Sequence, residues 1–364
     1  MIELKGTYNK AIVFTDTIED TAKRQVEELC NLPFLQNTKI RMMPDLHAGK
    51  GCTVGTTMTI TDKIVPNFVG VDLGCGMICA KLSVSKEEIN FEKLDKTIKK
   101  NVPSATRIRH KEHRNTIEIP FAEVVAPINE ERARLSLGTL GGGNHFIELN
   151  EGNDGSIYLV IHSGSRNLGK QIAEHYQQVA HRILGDTISK DLAYVEGNNM
   201  KDYLFDLSIA QKYAALNRKT MAEVICRGMD WTIESEFDTT HNYIDLEHMI
   251  LRKGAISAQD GEIVIIPMNM RDGSLICRGK GNPDWNYSGP HGAGRTMSRS
   301  QARKVVALAD FEASMKDVWS TSVVASTVDE SPFAYKNMQD IVAHIGETVD
   351  VLEVIKPIYN FKAH

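Results

Sequence analysis

The chain has 364 residues, 42% hydrophobic and 24% charged, with a formal net charge of −5 at pH 7. That length can bury a large core, as a soluble globular protein does, and the negative balance excludes broad charge-driven adhesion to nucleic acid, so any such role must be local. No run of about 18 apolar residues marks a membrane span, Met1–Lys10 carries Glu3 and Lys5 in place of a secretion signal, and six scattered cysteines predict a reducing, cytoplasmic setting.

In chain order, residues 16–32 read as a helix capped at Thr17 or Asp20, with Val26, Leu29 and Cys30 on one face. Met43-Pro-Asp-Leu-His-Ala-Gly-Lys-Gly51 reads as a loop. Its Asp45, His47 and Lys50 carry more polar chemistry than a connector needs, with a plain surface turn as the competing reading. The span 64–84 is rich in Val and Ile and predicts a buried strand, bent at Gly70-Val-Asp-Leu-Gly-Cys-Gly-Met77. There a carboxylate, Asp72, stands three residues before a thiol, Cys75, with glycines flanking the thiol. A sharp turn would offer both groups to one point, a metal, whose other ligands must come from elsewhere and are most often histidines. Cys79 reads as core packing.

Residues 86–102 read as a helix. Arg107-Ile-Arg-His-Lys-Glu-His-Arg114 follows as a basic patch, read first as a solvated charged face and second as a phosphate-binding strip. In Leu137-Gly-Thr-Leu-Gly-Gly-Gly-Asn-His-Phe-Ile-Glu148, three consecutive glycines deliver Asn144 and His145 onto a strand and predict close backbone approach to a ligand. Glu148 falls on the opposite strand face from His145 and reads as a residue supporting the site from behind or as a rim residue. The apolar strand 156–162 ends in His162. The segment after it matches the G-x-x-x-x-G-K spacing of a P-loop, but Gln171 stands where a magnesium-binding hydroxyl is required. The better reading makes His162 a third metal ligand, with Arg166 and the next helix N-terminus facing an anion.

Residues 206–227 form an amphipathic helical pattern with no obvious chemistry, and His241 follows in Thr-Thr-His-Asn-Tyr. The segments 262–267 and 274–278 read as strands, with a hairpin turn at Asp272-Gly273. His291-Gly-Ala-Gly-Arg295 plants an imidazole in a glycine-flanked loop, with Arg295, Arg299 and Arg303 to surround an anion; a simple turn residue is the alternative. Residues 300–320 read as a helix and 349–362 as strands. The candidate ligands Asp72, Cys75, His145, His162 and His241 span some 170 positions without a boundary or repeat between them. This predicts a single domain over residues 1–364, of α+β class, with several β-sheets surrounded by helices.

Taken together and in this order, Met43–Gly51, Gly70–Gly76, Gly138–His145, His162-Ser-Gly-Ser-Arg166, His291–Arg295, Asp329–Lys336 and the terminal Phe361-Lys362 resemble the RtcB family of RNA-splicing ligases. The resemblance implies an enzyme that uses GTP and manganese to join RNA ends bearing a 3′-phosphate or 2′,3′-cyclic phosphate to 5′-hydroxyl ends. It implies Asp72, Cys75, His145, His162 and His241 as ligands of two Mn2+ ions, with Cys75 bridging, His291 as the nucleophile that takes GMP, and Asp45 as a residue assisting the RNA-dependent steps. Asn144, Glu148, Ser274, Ala293, Gly294, Tyr335 and Lys362 fall where the family contacts GMP, and Arg166, Arg295 and Arg299 where it holds RNA phosphates. An archease-like activator is a further implied partner. Asn269 in Met268-Asn-Met-Arg271 stands where a serine usually meets the nucleotide, and the chain is shorter than many members, which marks a distinct branch. By residue type alone, one thiolate and three imidazoles suit zinc or iron; manganese enters only through the resemblance. Two other classes use parts of the same set: a dinuclear metal-dependent phosphodiesterase, which needs no His291, and a non-catalytic RNA quality-control factor.

Overall fold

Two large, almost wholly antiparallel sheets carry the α+β fold in the computed structural model, which describes residues 1–363. One has six strands in the order Ile2–Lys5, Lys10–Val13, Ile40–His47, Val54–Thr59, Ile250–Lys253, Asn242–Asp245. The other has seven, in the order Ile233–Thr240, Gly76–Leu82, Ile157–Ser163, Phe146–Glu151, Val349–Phe361, Gly273–Gly279, Ile263–Asn269. Only Lys10–Val13 and Ile40–His47 pair in parallel. The chain passes from one sheet to the other at a single residue, His241, between the strands Ile233–Thr240 and Asn242–Asp245.

The 33-residue helix Gly197–Met229 spans two apolar clusters. Its first half packs Leu207, Ala210 and Tyr213 against the helix Arg166–Leu184, and its second half packs Met221, Ala222 and Ile225 among strands of the seven-stranded sheet and the helix Phe91–Asn101. At the joint lie two polar residues, Asn217 and Arg218, both fully buried. No helix among the described residues is long and apolar enough to cross a membrane.

Three elements differ from the sequence reading. Met43–His47 completes the strand Ile40–His47 and is not loop. The register shifts between Met42 and His47, so Pro44 sits in an irregular stretch where its missing N–H breaks no ladder bond. The span 64–84 is not one strand: Pro66 opens a short 3-10 turn and Gly70 adopts positive φ, so the regular strand begins only at Gly76. The helix expected over 300–320 splits into Arg299–Val305 and Leu308–Ser314, with Ala307 extended between them. The break lets Phe311 and Met315 bury against Met270 while Arg299 and Arg303 reach Asp329.

Candidate active site and metal centre

The strand register of the seven-stranded sheet gathers the candidate ligands at one end. Thr240 pairs with Gly76, Gly76 with Ser163, and His162 with both Met77 and Phe146. Cys75 and His241 therefore meet just beyond the last ladder pair, where His241 N–H donates to the Cys75 carbonyl at 2.8 Å. Cys75 Sγ lies 3.4 Å from His145 Nε2 and 3.3 Å from His162 Nε2, His162 Nε2 lies 3.3 Å from His241 Nε2, and His145 Nε2 lies 3.0 Å from an Asp72 oxygen. Cys75 belongs to both groups of possible ligands, Asp72–Cys75–His145 and Cys75–His162–His241, and so occupies the bridging position.

The hydrogen bonds around these side chains fit a cation. The Leu140 carbonyl faces His145 Nδ1 at 2.9 Å and the Asn144 carbonyl faces His162 Nδ1 at 3.2 Å. Each ring thus donates through Nδ1–H and turns an Nε2 lone pair inward. Two such lone pairs face one thiol, which has a single proton to give, and the His145 lone pair also faces a carboxylate oxygen. All four of Cys75, His145, His162 and His241 are buried, so water is a poor substitute, whereas divalent ions would satisfy every lone pair. Burial, aided by Asp72, pushes the Cys75 thiol well above its ordinary pKa, and burial with the neighbouring imidazoles pushes His162 and His241 well below theirs. The imidazoles are thereby kept in the neutral form that binds metals, and the thiol would lose its proton on binding. At Asp72, burial opposes ionisation, but its contacts with His145 and the Arg166 charge outweigh it and hold the carboxyl below its usual range.

Two glycines make this packing possible. A Cβ at Gly164 would lie 2.2 Å from the Asp72 carboxylate. A Cβ at Gly141, whose φ is +92°, would lie 2.5 Å from His145 Nδ1. The close approach anticipated for the triple glycine is thus to His145 and the Arg166 guanidinium.

Beside the centre opens a cavity of about 360 Å³, lined by Asp72, Cys75, His162 and His241 on one side and by His291, Asn144, Glu148, Tyr335 and Lys362 on others. His291 enters from the loop after Ser288–Pro290. Its Nδ1 meets Asp45 Oδ2 at 2.6 Å, and its backbone N–H donates to the same oxygen at 3.1 Å. Asp45 is fully buried, so the ring is fixed with Nε2 directed away from the carboxylate, and its centroid lies 5.0 Å from that of His241. Ala293 and Gly294 line the same wall. Glu148 is not at a rim: it is buried in the cavity wall, accepts from Asn360 at 2.6 Å, and is raised by burial to a pKa of about 7. Lys362 Nζ donates to Glu330 at 2.9 Å and stands over the Phe146 ring.

Several other site candidates are placed otherwise than the sequence suggested. The Arg166 guanidinium donates to Thr139 Oγ1 and the Ala105 carbonyl and is absent from the cavity wall, so it faces protein and not an open anion site. Ser274 is buried off the wall, with an Oγ that has no partner among the described residues. Asn269 lines the cavity, but its amide caps the hairpin turn by accepting from the Arg271 and Asp272 N–H groups and donating to Asp272. Gly169 lies within the helix Arg166–Leu184, which removes the P-loop alternative.

Sequence reading missed the groups that hold the site. Arg218 donates to the carbonyls of Gly74 and Ser163, both at 2.8 Å, and forms a two-pronged ion pair with Asp238. Asn217 accepts from the Gly138 and Thr139 N–H groups and donates to the Gly164 carbonyl. The long helix thus ties together the three loops that carry the ligands. The available signal was the polar run Asn217-Arg-Lys-Thr220 set between Tyr213-Ala-Ala-Leu216 and Met221-Ala222 of the same helix. Asp329 and Glu330, which the sequence singles out only within the segment 329–336, together pair Arg295, Arg299, Arg303 and Lys362. Lys362 and Arg299 overcome burial to hold Glu330 down at a pKa of about 2.

Comparison with known proteins places this geometry in context. The family model described as "tRNA-splicing ligase RtcB" matches residues 25–126 and 106–363. The RNA-splicing ligase RtcB of Escherichia coli (strain K12) is 32% identical over 94% of both chains. The tRNA-splicing ligases RtcB of Aeropyrum pernix and Methanococcus maripaludis are 27% and 24% identical, over 94% and 96% of this chain and 92% of each of theirs.

Proposed function

Since this chain belongs to the RtcB family of RNA ligases, we propose that it joins RNA ends bearing a 3′-phosphate or 2′,3′-cyclic phosphate to 5′-hydroxyl ends, using GTP, two manganese ions and a histidine–GMP intermediate. The observation that carries this reading is the buried Asp45–His291 pair facing the same cavity as the cluster of thiol, imidazoles and carboxylate. A phosphodiesterase needs only the cluster. A non-catalytic factor needs neither, and a fully buried carboxylate costs too much to keep without a task.

His291 Nε2 attacks the α-phosphorus of GTP, the bond to the β-phosphate oxygen breaks, and pyrophosphate leaves. Nδ1–H stays on the ring, and the Asp45 carboxylate offsets the positive charge the imidazole gains. An RNA 3′-phosphate oxygen then displaces His291 from the GMP phosphorus. The 5′-hydroxyl attacks the activated 3′-phosphorus, GMP departs and the phosphodiester is formed. A cyclic phosphate first takes up water to open. Asp72, Cys75, His145, His162 and His241 would hold the two ions, whose charge would neutralise phosphoryl oxygens in the pentavalent transition states.

In the nucleotide pocket we assign Asn144, Glu148, Asn269, Ala293, Gly294, Tyr335 and Lys362, with Glu148 and Lys362 at the base edge and Ser274 buried behind the wall. Arg295 and Arg299 are the groups for RNA phosphate near the reacting ends, exchanging Glu330 and Asp329 for phosphate oxygens; Arg166 supports Asp72 from behind. The overlapping family matches support treating residues 1–364 as one ligase domain, which we assign to the cytoplasm. An archease-like activator belongs to the same reading. The test is ligation of an RNA carrying a 2′,3′-cyclic phosphate to one carrying a 5′-hydroxyl, with GTP and manganese. Joining that requires GTP and is lost in His291→Ala supports the proposal; cleavage without joining would select the phosphodiesterase instead.

A further inference from the structure

A second concave surface lies away from the metal centre, between the end of the helix Phe91–Asn101, the segment 103–113 and the last turn of the helix Gly197–Met229. Its volume is about 660 Å³, and its charged lining is entirely basic: Lys99, Lys100, Arg107, Arg109, Lys111 and Arg227. The carboxylates carried by these same segments turn elsewhere. Glu112 pairs with Arg134, Glu223 accepts from Asn115, and Asp95 is shared by Lys99, Thr321 and Tyr359.

Three of the cations are already committed: Arg109 to the Leu137 and Gly138 carbonyls, Arg107 to Ser104, and Lys99 to Asp95. Lys100, Lys111 and Arg227 are exposed and have no carboxylate partner among the described residues. On a chain of net charge −5, such a one-signed groove concentrates the attraction for a polyanion at one place.

Close contacts join the segment that lines the groove to the mouth of the active site. The Ala105 N–H donates to the Gly141 carbonyl, and its own carbonyl accepts from Arg166. A Cβ at Gly142 would lie 3.7 Å from the Ala105 backbone, and one at Gly143 4.0 Å from the Arg299 guanidinium. A strand leaving the cavity past Arg299 therefore meets Gly143, then Ala105, then the groove.

We propose that this groove binds the phosphate backbone of the RNA strand beyond its reacting end, through Lys100, Lys111 and Arg227. Binding there is electrostatic and indifferent to base sequence. The assignment of the polyanion as RNA rests on the ligase reading.

The test compares wild type with K100A/K111A/R227A by fluorescence anisotropy, using single-stranded RNAs of about 24 and about 6 nucleotides across a salt series. With about 0.7 counterions released per single-strand phosphate contact, the variant should lose about two from the salt slope and bind the longer RNA about tenfold more weakly. The short RNA, which is held at the pocket, should bind both proteins alike. A charge-retaining K100R/K111R/R227K variant should restore the longer RNA's affinity, which separates charge from misfolding. Equal affinity and slope for the longer RNA overturns the proposal, as does an equal loss for the short one. GMP transfer to the protein, which needs no RNA, should be unchanged in the triple variant. If wild type itself takes up no GMP, the ligase reading fails while the binding comparison still decides the groove.

Discussion

Replacing Asp45 with asparagine keeps the shape of the side chain and removes its charge. In the wild-type protein the Asp45 carboxylate is fully buried and one oxygen receives both His291 Nδ1 at 2.6 Å and the His291 backbone N–H at 3.1 Å. Attack by Nε2 leaves the imidazole cationic, so the short contact, already made to a carboxylate, becomes an ion pair as the reaction proceeds and strengthens. Such bonds contribute roughly 1.5–3 kcal/mol net. The loss therefore falls on the transition state and not on GTP binding, and D45N should slow GMP transfer to His291 by about 30- to 150-fold, the equivalent of ~2–3 kcal/mol. The assay is single-turnover labelling with α-labelled GTP and manganese, beside metal content and GTP affinity, both expected to stay within about twofold because Asp45 is not among the metal-cluster residues. Labelling at the wild-type rate, or a loss of metal in parallel with the loss of rate, would refute the positioning argument.

Three further outcomes follow from the packing. Gly164→Ala would drive a methyl into the Asp72 carboxylate, so the purified variant should bind less metal by elemental analysis, with about 1–3 kcal/mol of destabilisation; unchanged metal content would show that Asp72 has room. Glu148, with a folded pKa of about 7 against an ordinary 4.5, holds its proton longer folded than unfolded. Stability should therefore be greatest below about pH 4.5 for this group and fall by as much as ~3 kcal/mol as pH rises to 7, and E148Q should be the more stable protein at pH 8 and show a flatter melting-temperature profile. A parallel profile for both proteins would contradict this. Arg218→Met removes the ties to the buried carbonyls of Gly74 and Ser163, while Asp238 stays exposed to water; urea denaturation should show a loss of about 2–3 kcal/mol, and a change below about 0.5 kcal/mol would mean that the clamp is dispensable.

The candidate ligand residues were legible in the sequence because their spacing and glycine context are local: a carboxylate and thiol at one bend, and histidines at strand ends. What gathers them is not local. His241 becomes a ligand candidate because the chain changes sheets there, and only the pairing of Thr240 with Gly76 sets it beside Cys75. Asn217 and Arg218 gave only a weak signal because a polar residue in a helix reads the same in the sequence whether it is buried and clamps a loop or faces water. Arg166 is the converse case: a helix N-terminus and a basic residue suggested an anion, but the guanidinium donates to Thr139 and Ala105. The basic run 107–114 was ambiguous for a related reason, since its neighbours Lys100 and Arg227 come from distant helices.

The central claim is that His291 is a nucleophile set against GTP and that the buried cluster beside it is a separate metal centre. It is tested most directly by incubating wild type and His291→Ala with α-labelled GTP and manganese and measuring protein-bound label and metal content together. The account predicts a GMP adduct on wild type that is acid-labile and alkali-stable, and none on His291→Ala, which retains its full metal complement. An adduct that persists in His291→Ala, or none on wild type with any divalent ion, would contradict it.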